Sequence, residues 1–125
     1  MRKAIVLAAV LALFSNSSRA LDISLLTEGD PYVVASRCYG AVLAVPDIDW
    51  FGAQEALMNI IAKDPHLDAD IKTGKAFYEA DHSPRARMLD FVGRFIYFTA
   101  RDMQAGLYRP NEVRSACLDF VARNG

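Results

Sequence analysis

Cysteine is scarce in this sequence: Cys38 and Cys117 are the only two in 125 residues. Two thiols are too few for a disulfide-dense mini-scaffold or a Cys-rich zinc site. An excess of one charge is missing as well, since 14 Lys and Arg face 15 Asp and Glu. That balance argues against a general nucleic-acid binder, which needs a basic stripe. Glycine and proline are few, at 7 and 5, which excludes collagen-like chains and Pro/Gly-rich disorder. No alternating apolar pattern of useful length supports a sheet. G-x-S-x-G, H-E-x-x-H, P-loop and dinucleotide-binding motifs are all absent. The longest uninterrupted apolar run, Ala4 to Phe14, covers 11 residues, against the roughly 20 that a spanning helix requires.

What is present at the start reads as an address. Arg2 and Lys3 precede the apolar run, and a polar stretch leads to Ser18 and Ala20, small residues at −3 and −1 of a cleavage site. Residues 1–20 are therefore expected to be a signal peptide and 21–125 a single domain, periplasmic or secreted, with no stable membrane span after cleavage.

The remainder carries helical signals. Asp30-Pro31 pairs an N-cap with proline at N1, and Pro46 ends or kinks the helix that follows. Gly40 either weakens this helix or permits close packing. Asp47 or Asp49 is expected to cap a second helix reaching Lys63, with Trp50, Phe51, Ala53, Leu57, Met58, Ile60 and Ile61 as its buried stripe. Asp64-Pro65 reads as a break, His66 to Asp70 as a loop, and Asp70 to Asp81 as a short third helix. Ser83-Pro84 opens a long amphipathic pattern through Met88, Val92, Phe95, Ile96, Thr99 and Met103. Gly106 suits the left-handed residue past its end. Either Tyr97 or Phe98 must then point partly outward, because adjacent residues cannot share one helix face. Pro110 opens the last helix, whose stripe of Val113, Ala116, Cys117, Phe120 and Val121 contains a cysteine. The expected fold is all-α, a bundle of four or five helices closed by one Cys38–Cys117 disulfide. Closing a loop of that length contributes roughly 4.5 kcal/mol by loop-closure entropy.

Sites for chemistry are sparse. Counting a calcium loop from Asp68 puts Lys72 at a ligand position and Thr73 where the turn wants glycine. His66 and Asp68 are thus conceivable as a weak metal site but not predicted as one, and no cofactor is implied. His82 follows Asp81 at the entry to the long helix. Glu79 and Asp81 are the pair that a carboxylate-based hydrolase would use. The stretch Cys38-Tyr39-Gly40 resembles the Cys-Gly-Tyr-type helix of periplasmic immunity proteins. Its Tyr and Gly are transposed and that family's second disulfide is missing, so no site residue carries across.

Charge is distributed unevenly. Residues 21–82 hold 11 acidic and 4 basic groups, net −7, and residues 83–125 hold 4 acidic and 7 basic, net +3. Every base of the second half is arginine, the cation best suited to interfaces. Arg85, Arg87 and Arg109, with Tyr108 beside the last, are the candidate binding residues. The function expected is non-catalytic binding of another envelope or extracellular protein, in an inhibitor, immunity or chaperone-like role, and not of nucleic acid. The alternatives are a carrier or sensor of a small apolar ligand near Phe95 and Phe98, and the small hydrolase.

Overall fold

The computed structural model describes residues 21–73 and 84–125, with the side chains of 72–73, 84–89 and 91 excepted. These residues form six helices and no strand: α1 Ser24–Thr27, α2 Pro31–Ala44, α3 Ala53–Lys63, α4 Pro65–Thr73, α5 Pro84–Gln104 and α6 Pro110–Asn124. The all-α bundle is as expected, with five longer helices and one single turn. Four of the chain's five prolines open a helix, and Pro46 follows the end of one. Proline is pre-organised for the first helical position, where its missing N–H costs nothing.

α2 is the hub. It packs most extensively on α5, then on α3 and α6. The α2–α5 approach depends on Gly40, where an added Cβ would collide with the backbone carbonyl of Ile96. The close-packing reading of this glycine is therefore the correct one, with α5 as the neighbour. Cys38 and Cys117 are fully buried and disulfide-bonded, with Cα atoms 5.7 Å apart. The bond staples α2 to α6 inside a core that includes Leu26, Leu57, Ile61 and Val113.

The end of α5 follows from Gly106 at φ +75°. Its N–H donates to the Met103 carbonyl at 3.1 Å, and the Leu107 N–H donates to the Asp102 carbonyl at 3.0 Å. This is the double bond pattern of a Schellman stop. α1 was not foreseen. Arg37 holds it, donating to the Glu28 carbonyl at 2.6 Å and the Leu26 carbonyl at 3.4 Å, with its guanidinium 5.6 Å from the centre of the Phe95 ring.

Three expectations are corrected. The second helix starts at Ala53, not after Asp47 or Asp49, because Phe51 and Gly52 both adopt left-handed backbone at φ +50° and +73°. Phe51 and Met58 consequently leave the buried stripe and are exposed. Positions 66–70 lie within α4 and not in a loop. Residues 74–81 of the expected third helix fall outside the described residues.

Candidate functional site

Two arrangements stand out, one at a helix junction and one on a helix face. At the junction, Asp64 ends α3 with its carboxylate buried. One oxygen accepts the backbone N–H of Tyr32 at 2.7 Å, at the start of α2. The other accepts the His66 N–H and meets the ring Nδ1, each at 2.9 Å, at the start of α4. A single carboxylate therefore serves the exposed donors of two helix N-termini. Asp30, expected to cap α2, makes no side-chain cap bond. The Tyr32 hydroxyl donates to Asp70 at 2.6 Å, tying α2 to α4 a second time.

The charges of this junction are set by those contacts. Burial pushes the Asp64 carboxyl up, but the N–H groups of His66 and Tyr32 and the His66 ring outweigh it and hold the group below its ordinary range. The bond to Asp64 raises His66, and Asp30, Asp64 and Asp70 add to the effect. Burial and the contact with Asp70 raise Tyr32. Because a carboxylate only accepts, Nδ1 of His66 carries the proton. A cleft of about 420 Å³ opens here, lined by Pro31, Ile60, Lys63, Asp64, His66 and Gly125 among others. Among the described residues its polar lining is Asn59, Lys63, Asp64, His66 and Asn124.

On the face of α5, Tyr97 and Phe98 are both exposed, at 63% and 47%. This exceeds the expectation that one of them would turn outward. Their rings meet edge to face at 5.6 Å, and the Arg101 guanidinium lies 4.9 Å from the centre of the Phe98 ring. Thr99 and Met103, on the opposite side of the helix, are buried, which fixes the rotation of α5 and leaves the aromatic pair to solvent.

Of the residues expected to bind, neither Arg109 nor Tyr108 joins this cluster. Arg109 is exposed at the N-cap of α6 and pairs with Glu112 at 3.3 Å. Tyr108 is turned into the core at 8% exposure, so it offers no contact surface beside Arg109. Arg85 and Arg87 lie in the first turn of α5, and their side chains are outside the described set. Glu79, Asp81 and His82 also lie outside the described residues. Among the described residues no three His, Cys, Asp or Glu side chains come together as a metal site, His66 and Asp68 included. No helix among them is long and apolar enough to cross a membrane.

The Tyr97–Phe98–Arg101 cluster was within reach of the sequence. An arginine three positions after a phenylalanine on a helix stacks over its ring. Compared with protein-family models, curated proteins and solved structures, the chain matches none.

Proposed function

We propose that the protein is exported and binds another envelope or extracellular protein without catalysis, through the Tyr97, Phe98 and Arg101 face of α5. The observation that carries this reading is an aromatic pair left in water with an arginine stacked on it. Tyr, Phe and Arg are the side chains that interface centres favour. They sit on the longest helix of a disulfide-stapled core, so little freedom remains to be lost on binding. The disulfide and the leader-like residues 1–20 support an oxidising compartment.

The test is capture from the envelope fraction with tagged protein expressed from the full-length gene, comparing the natural chain with a Tyr97→Ala, Phe98→Ala, Arg101→Glu variant of equal melting temperature. The expected result is one partner retained by the natural chain and reduced at least about tenfold by the variant. Equal recovery would reject this face. Charge reversal at Arg85, Arg87 and Arg109, measured alongside, reads whether the arginine surface contributes.

A further inference from the structure

Trp50 and Phe51 are neighbours that the fold treats oppositely. Trp50 is buried, and its indole N–H donates to the Val45 carbonyl at 2.8 Å, closing the turn between α2 and α3. Phe51 is 71% exposed. Its φ of +50° is strained for a bulky side chain. Its N–H is held by Asp49 Oδ1 at 2.8 Å, and Gly52 continues the left-handed course. An aromatic ring is thus kept in water by a rigid turn. It borders a groove of about 340 Å³ whose apolar lining includes Val42, Leu43, Pro46 and Ile48. Leu43 is itself half exposed.

The one charged residue in the groove's described lining is acidic, Asp49, and Asp47 and Glu55 adjoin lining positions in the sequence. All its lining residues lie between positions 42 and 54. From 38 to 62 the chain has Asp47, Asp49 and Glu55 and no Lys, Arg or His. All three acids are exposed.

We infer that this groove docks a cationic amphipathic segment of a protein partner. An apolar side chain of that segment seats beside Phe51 and Leu43, and flanking Lys or Arg side chains meet Asp47, Asp49 and Glu55. The apolar contact supplies affinity, and the acidic rim selects the sign of the partner and speeds encounter. The inference stands apart from the α5 face, which presents arginine instead.

Trp50 is the chain's only tryptophan and lines the groove, so its emission reports occupancy. Protein expressed from the full-length gene is titrated with a short helix-periodic peptide of leucine and lysine, and with its counterpart bearing glutamate for lysine. Calorimetry runs in parallel. The expected result is saturable binding of the lysine peptide alone, weakened at least about tenfold by Phe51→Ala and by Asp47→Asn with Glu55→Gln, and unchanged by Tyr97→Ala with Phe98→Ala. Phe51→Gly, which relieves the backbone, is the second variant should Phe51→Ala fold poorly. Equal binding of both peptides, binding of neither, or full binding by a folded Phe51 variant would overturn the inference. So would a dimer of the natural chain that Phe51→Ala dissociates, since the groove would then belong to a second copy.

Discussion

The Asp64 carboxylate caps the helix that contains Tyr32 from 32 residues further along the chain, at 2.7 Å. Asp64→Ala removes this contact and the partner of His66 together. Each lost cap costs about 1 kcal/mol, and the Tyr32 N–H left without a partner costs more. We expect a loss of about 2–3 kcal/mol in urea unfolding, and a change under 0.5 kcal/mol, the size of an ordinary surface substitution, would show that the junction contributes nothing.

The same junction sets a pH dependence of definite sign. Asp64 lies below its ordinary value of 3.8, so its contribution is complete above that value and is lost as pH falls through the folded one. His66 lies above its ordinary 6.5, so its contribution is complete below 6.5 and is lost as pH rises through the folded value. Both contributions are present between 3.8 and 6.5. NMR titration should find His66 above 6.5 and lower in Asp64→Asn. A His66 that titrates at or below 6.5 in the natural chain would remove the pair.

Gly40→Ala tests the α2–α5 contact. Alanine gains up to about 1 kcal/mol of helix propensity over glycine. A Cβ driven into the Ile96 backbone cannot be relieved by a side-chain rotation, and overpacking costs about 1–3 kcal/mol. Net destabilisation is therefore expected, read as a lower melting temperature. A rise would mean that α5 yields without cost.

Phe51→Gly should move stability the other way. The ring is largely exposed and contributes little burial, while left-handed backbone at a bulky residue costs about 1–3 kcal/mol. Glycine recovers part of this and loses some to unfolded-chain entropy. A net gain of up to about 1 kcal/mol is the expected outcome of denaturant unfolding. A loss would show that Phe51 packs more than its exposure indicates.

Cys38→Ser or Cys117→Ser should cost roughly 2–5 kcal/mol, the range for losing a native bond from a small domain. Thiol counting on the unfolded, unreduced natural chain should find none, and a count of two would remove the bond.

What the sequence made legible was local. Pro31, Pro84 and Pro110 mark helix starts because their ring geometry acts within one turn, and Gly106 marks a stop for the same kind of reason. The disulfide followed because the chain offers only one pairing. Asp64-Pro65 is the same dipeptide type as Asp30-Pro31 and starts a helix as that one does, yet it reads as a break because Asp64 also ends α3. Its capping role depends on Tyr32 folding against it, which no window of sequence contains. Phe51 matched a helical stripe by spacing alone. Two left-handed residues delayed the helix by one turn and put the ring outside. Tyr108 shows the converse, since adjacency to Arg109 in sequence said nothing of which side of the α5–α6 corner it faces.

The Cys38–Cys117 bond closes a ring from the middle of α2 to the middle of α6. One backbone cut anywhere inside that ring opens it without releasing a fragment. The domain then persists as a two-chain molecule with its buried clasp in place. Such a nicked protein runs as one species until reductant separates it, so proteolytic damage need not detach the α5 face from the α2–α3 groove.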